Sequence, residues 1–200
     1  PDLVHVNGLP SAAFALLAAE NTLGAPLLVS LHSMLKTTVS SAATAWSMRA
    51  LASARWVTAC SQAVLDDLRR RAPELATRSS VLPGFLAMPA VAPAPLPFHP
   101  PTVLAVARLI PQKGLDLLID AVARLSPRYP DLKVTIAGDG EARAALTAHA
   151  ARLGVSERVT FLGWVPPTGV WALLNEATIL AVPSRAEGFG MVALEAAAVG

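Results

Sequence analysis

Two α/β domains built on parallel sheets and joined by a stiff linker are what this 200-residue sequence predicts. Two observations carry that prediction. Short apolar runs alternate with helical patterns along the chain, and seven of its 17 prolines crowd between Pro83 and Pro101. Strands that alternate with helices close into parallel sheets through right-handed crossovers. Proline at this density fixes φ and removes backbone donors, so no helix or central strand survives there. The stretch reads as an extended spacer. The expected boundaries are a first domain over 1–83, a linker over 84–101 and a second domain over 102–200.

In the first domain Leu3–Val6, Leu27–Leu31, Trp56–Ala59 and Ser80–Leu82 are too short and too apolar for surface helices and read as buried strands. Residues 10–20, 41–53 and 62–71 read as helices, with Ser61 in the N-cap position of the third. The second domain opens with a strand over Thr102–Ala107 and a helix over Lys113–Leu125. In that helix Leu115, Leu118, Ile119, Val122 and Leu125 recur at helical spacing, while Asp116, Asp120 and Arg124 fall elsewhere. A strand over Leu132–Ala137 and a helix over Glu141–Leu153 follow. Val159–Leu162, Pro167–Asn175, Thr178–Val182 and Met191–Val199 continue the alternation.

Composition narrows the function. The chain is 54% hydrophobic and 15% charged, which suits a folded domain with a sizeable core. A net charge of +2 gives no reason to expect a nucleic acid partner. One cysteine, Cys60, allows no intrachain disulfide. The apolar run near Ala12 to Ala19 is far shorter than the ~18 residues a membrane span requires. No charged stretch leads into an apolar segment, so a cytoplasmic location is the expectation. The chain starts at Pro1 without a methionine and stops at Gly200 just after a helical pattern, and it reads as a fragment truncated at both ends.

Ligands of parallel sheets bind beyond the carboxyl ends of the strands. Three segments there stand out. In Ala107–Gly114 (ARLIPQKG), Arg108 and Lys113 lie near a helix start whose dipole repels them; an anionic diphosphate between them would remove the conflict. Two solvated surface cations are the structural alternative. In Ala137–Gly140 (AGDG), Gly138 and Gly140 flank Asp139 at a strand-to-helix turn, which permits close approach to a ligand. An ordinary turn with Asp139 as a cap explains the same residues. In Ser184–Glu195 (SRAEGFGMVALE), Gly188 and Gly190 open the chain before a helix, Glu187 precedes it and Glu195 lies inside it among Leu194, Ala196, Ala197 and Ala198. Carboxylates accept hydrogen bonds only, which suits sugar hydroxyls, and one in such apolar company is either paired or functional.

With these pieces in order, the run from Val106 to Gly200 resembles the donor domain of the retaining GT-B glycosyltransferases, family 4 in particular. ARLIPQKGLDLLIDAVARL, LKVTIAGDGEARAAL, RVTFLGWVP and SRAEGFGMVALEAAAVG carry the resemblance. PDLVHVNG, PLLVSLHS, WVTACSQAVLDDL and SSVLPG are similar to the family's acceptor domain. The resemblance implies two Rossmann-like domains and transfer of a sugar, with retention at the anomeric carbon, from a nucleotide-diphosphate donor to a hydroxyl acceptor. It implies that Arg108 and Lys113 neutralise the diphosphate and that Gly188, Phe189 and Gly190 offer N–H groups. Glu187 would hold the transferred sugar and Glu195 the ribose. Trp164 and Val165 would face the base, Gly138 and Asp139 line the pocket, and His32, after a strand, would stand beside the donor sugar in the interdomain cleft. His5 is a weaker cleft candidate.

No Asp-x-Asp motif is present, so the expected site has no metal, no cofactor, and protein cations in a divalent ion's place. Front-face attack guided by the leaving phosphate is the expected route. The acceptor would be a carbohydrate or a lipid-linked hydroxyl. Two other readings are a non-catalytic sugar-nucleotide-binding protein and a GT-B epimerase; epimerases usually lack the Glu-Gly-Phe-Gly…Glu arrangement. Contact with the inner face of a membrane rests on Arg69, Arg70 and Arg71, with a solvated basic face as the alternative. The family's first acceptor-domain strand and glycine-rich loop have no counterpart here, and Pro83 precedes Gly84 where the family commonly has Asn.

Overall fold

A computed structural model describes residues 2–8, 24–35, 41–86, 94–95 and 100–200, the side chains of 41–44 excepted. The expected helix over 10–20 and most of the linker, His99 included, lie outside these residues. The chain divides into two units: Pro1–Phe85 together with Glu187–Phe189, and Leu86–Ala186 together with Gly190–Gly200.

The first unit carries β1 (Val4–Asn7), β2 (Leu27–Leu31), α1 (Ser41–Ser53), β3 (Trp56–Ala59), α2 (Gln62–Arg71) and β4 (Ser79–Val81). All four strands are parallel, in the order β1-β2-β3-β4. Val29, Leu31, Leu51, Val57, Val64 and Leu68 are buried between sheet and helices. Each such side chain contributes about 1.5–3 kcal/mol relative to exposure. Ser61 caps α2, its side chain accepting from the Val64 N–H at 3.3 Å.

The second unit holds β5 (Thr102–Val106), α3 (Leu115–Leu125), β6 (Lys133–Ala137), α4 (Arg143–Arg152), β7 (Val159–Gly163), α5 (Pro167–Glu176), β8 (Ile179–Leu180) and α6 (Met191–Val199). Its parallel strands run β7-β6-β5-β8. Successive strand residues face opposite sides, and the core divides accordingly. Ala105, Val134 and Ile136 pack with Leu115, Ile119 and Leu146 of α3 and α4. Leu104 and Ala137 pack with Val170, Leu174 and Val199 of α5 and α6. Helices therefore cover both faces of the sheet, which is why its strands are almost continuously apolar.

Several boundaries differ from the sequence reading. Lys113 does not open α3: Pro111–Lys113 is a 3-10 turn, and Gly114 in the left-handed region breaks it from the helix. The helix after β6 begins at Arg143, and Asp139 does not cap it; the N-cap position is Ala142. β8 is two residues long because only Ile179 and Leu180 pair with β5. Leu125 closes the apolar stripe of α3 but is 43% exposed.

Candidate functional site

Order β7-β6-β5-β8 means that the chain steps outward from β5 through β6 to β7 and then returns to the other side of β5. The loops after β5 and β8 thus flank the point where the winding reverses, which is where open parallel sheets bind ligands. The β5 loop carries Arg108 and Lys113. The β8 loop leads through Ser184 to Gly190, and the β6 and β7 loops, with Asp139 and Trp164, emerge at the same edge.

These four loops are tied by main-chain hydrogen bonds. Leu109 N–H donates to Asp139 O at 2.9 Å, Ala142 N–H to Leu109 O at 2.9 Å and Gly138 N–H to Gly163 O at 2.7 Å. On the other side Arg185 N–H donates to Gln112 O at 2.9 Å. Two glycines make the approach of the loops feasible. Gly114 has φ +62°, and a Cβ there would run into the carbonyl oxygen of Pro183. Gly138 has φ +133°, with the carbonyl oxygen of Ala107 in the space a Cβ would take. Every other residue would be both strained and overlapped at these positions.

Two helices, α3 and α6, begin at this edge. Each has a left-handed glycine at its N-cap, Gly114 and Gly190, and neither has a side-chain cap. A glycine has no side chain with which to cap, so at α6 the first-turn N–H groups have no N-cap side chain, whereas at α3 the Asp116 carboxylate engages the Asp116 and Leu117 N–H groups. Asp116 sits in the first turn of α3, an acidic residue that offsets the cations nearby and that the sequence reading left on an unassigned face.

Arg108 is exposed and Lys113 half-buried. Asp139 takes the hydrogen bond of the Gly140 N–H at 2.8 Å and lies 3.7 Å from Arg143 Nη1. Trp164 is 73% exposed and Val165 half-buried. Glu187 accepts from the Gly188 N–H at 3.3 Å. Phe189 is at the surface. Glu195 is half-buried in α6, and burial raises its carboxyl above the usual carboxylate range. A carboxylate kept short of solvent this way favours donors brought by a ligand.

His32 follows β2 in the first unit; it is exposed, with Nε2 3.4 Å from Asn7 Oδ1. His5 is held more firmly: its Nε2 lies 2.8 Å from Ser30 Oγ, itself 2.8 Å from Thr58 Oγ1. That chain of polar groups accounts for His5 structurally. The three arginines of α2 also have partners. Arg69 donates to Ser79 Oγ and to the Ser79 and Ala76 carbonyls, while Arg70 and Arg71 meet Asp67 at 3.2 and 3.1 Å.

Sequence reasoning passed over Gln112, Asp116 and Arg185. Arg185 grips Asp116 with both prongs of its guanidinium, and Gln112 donates to the Ala186 carbonyl. The hint was present as Asp116 in a first turn and Arg185 beside Glu187, but only the fold pairs positions 69 residues apart. Among the described residues no group of three or more His, Cys, Asp or Glu is arranged to hold a metal ion, and no helix is long and apolar enough to cross a membrane.

Comparison with known proteins shows the family and the fold. Residues 92–200 match the model of the family described as Glycosyl transferases group 1, and residues 1–87 match that of Glycosyltransferase Family 4. A D-inositol 3-phosphate glycosyltransferase of Corynebacterium efficiens is 42% identical over 111 residues, covering 52% of this chain and 26% of that protein. Alpha-D-kanosaminyltransferase of Streptomyces kanamyceticus is 30% identical over 213 residues, covering 96% of this chain and 55% of the relative. Among solved structures, Anabaena Alr3699/HepE in complex with UDP and glucose superposes with a TM-score of 0.85 at 25% identity, over 99% of this chain and 57% of that one. The chain thus spans between a quarter and little more than half of the length of these proteins.

Proposed function

This chain belongs to the glycosyl transferases group 1, and from that premise we propose that it forms part of a retaining glycosyltransferase using a nucleoside-diphosphate sugar. The observation that carries the reading is the meeting of the β5 and β8 loops at the switch point of the second sheet. Cations stand on one loop and the Glu-Gly-Phe-Gly run on the other, with a helix that starts on a left-handed glycine behind each.

In this reading the diphosphate lies at the helix starts, with Arg108 and Lys113 taking up the charge that grows as the nucleotide leaves. Gly188, Phe189 and Gly190 offer main-chain N–H groups to phosphate or sugar. Glu187 accepts from hydroxyls of the transferred sugar and Glu195 from the ribose. Gly138 and Asp139 border the nucleotide, and the backbone at Trp164 and Val165 faces the base. His32 keeps the role beside the donor sugar that the resemblance gives it. Attack from the leaving-group face retains the anomeric configuration without a protein nucleophile. The acceptor is a hydroxyl of a carbohydrate or of a lipid-linked saccharide, and the enzyme works in the cytoplasm, at the inner face of the membrane where the acceptor is lipid-linked.

The test is a calorimetric screen of UDP, GDP, ADP and dTDP against the full-length protein, with Glu195→Ala beside it. One nucleotide should bind selectively, and the variant should lose about tenfold or more in affinity, the cost of removing a charged hydrogen-bond partner. Binding of none by a well-folded protein overturns the reading.

A further inference from the structure

The pairing of Asp116 with Arg185 asks for an explanation. Both side chains are more than 40% exposed, where an ion pair contributes little to stability. Yet the contact is two-pronged, with Arg185 Nη1 donating to Asp116 Oδ1 at 2.8 Å and Nη2 to Oδ2 at 2.6 Å. The same Nη1 also reaches the Pro111 carbonyl at 2.9 Å. Around it the two loops exchange further bonds: Arg185 N–H to Gln112 O, and Gln112 Nε2 to Ala186 O at 3.1 Å. Gly114 lets the Pro183 carbonyl close against the turn. Five contacts thus fasten Pro183–Ala186, the residues immediately before Glu187, to the turn that carries Lys113.

A loop that must present Glu187 and the Gly188–Gly190 amides to a ligand loses entropy each time it orders, and a misplacement of about 1 Å costs about 100-fold in rate. We propose that Asp116, Arg185 and Gln112 are positioning residues: they lock Pro183–Ala186 of the β8 loop onto the β5 turn and so fix the point from which the chain runs on to Glu187 and the Gly188–Gly190 amides. The proposal deepens the donor-site reading and rests on it for its kinetic consequence, while the lock itself is a property of the unliganded chain. Asp116 fits the part chemically. The Arg185 guanidinium holds its carboxyl below the usual carboxylate range, so it stays charged wherever the protein is folded at ordinary pH.

The experiment follows amide hydrogen exchange of residues 183–190 in the full-length protein for wild type, Asp116→Asn, Arg185→Lys and the double variant. Donor turnover is measured alongside. Arg185→Lys keeps the charge but cannot make the two-pronged contact. Exchange in 183–190 should rise about tenfold in each variant, consistent with a local opening, while β5 and β6 stay as protected as before. kcat should fall about 10- to 100-fold, and the Kd for the bare nucleoside diphosphate should rise by less than kcat falls, because Glu195 on the ribose is untouched. The double variant should be no worse than the worse single one, as for groups that act as a unit. Unchanged exchange in both single variants, or rate losses that simply multiply, overturns the proposal. If the wild type binds no nucleoside diphosphate yet its 183–190 amides loosen in the variants, the donor reading falls and the lock stands.

Discussion

Glu195 shows how a single residue can work against the fold that carries it. Burial raises its carboxyl, so the folded state binds a proton more tightly than the unfolded chain does. Its contribution is complete below the unfolded value of about 4.3 and is lost as pH rises through the raised folded value. Glu195→Gln should therefore raise Tm at pH 7 to 8 and weaken nucleotide binding, with the Tm gain vanishing below about pH 4; melting curves across pH beside calorimetry check both halves. A loss of Tm at neutral pH would mean the carboxylate already has a partner inside the protein. Gly114 and Gly138 make the complementary case. An alanine at either would need a left-handed backbone, costing about 1–2 kcal/mol, and would overlap a carbonyl as well. Denaturant unfolding should show a loss above that range for Gly114→Ala, with its largest exchange increase in residues 183–190.

At the scale of elements, α2 is anchored by a buried carboxylate. Asp67 is 6% exposed and accepts from the Leu35 N–H at 3.0 Å as well as from Arg70 and Arg71. Burial alone would raise its carboxyl. The Leu35 amide and the two arginines outweigh that and hold it below the usual range. Stability from this group is thus present above about 3.9, its unfolded value, and is lost as pH falls through the depressed folded value. Asp67→Ala should cost about 1–3 kcal/mol by leaving a buried N–H without its partner, and it should flatten the acid limb of the unfolding curve. A variant as acid-sensitive as the wild type would remove Asp67 from that role. In the sequence, the run of three arginines suggested a basic face toward a membrane. Their partners in the fold give a structural use for all three, and liposome sedimentation of a charge-removed variant tests what contact is left.

For the whole molecule, the proposal that protein cations stand in place of a divalent ion predicts that sugar transfer by the full-length protein survives chelation. Activity measured with and without EDTA should agree, whereas abolition reversed by a divalent cation would move the diphosphate charge off Arg108 and Lys113. Much of this was legible in the sequence because it is local. Alternating apolar runs fix which segments are strands and helices, since burial on both faces demands them, and β2, β3, α1, α2 and α6 fall where periodicity puts them. Glycines beside charges at strand ends mark where a loop must come close to something. What periodicity could not reach was register and partnership. A turn at Pro111–Lys113 scans as the first turn of a helix until Gly114 takes a positive φ to admit the Pro183 carbonyl. By itself, then, the sequence determined two parallel α/β units and which charges and glycines stand in the loops at one sheet edge. Tertiary structure alone decided that β8 returns beside β5 and that Arg185 reaches Asp116, because contacts between residues far apart in the chain depend on how the sheet winds, and no local pattern records that.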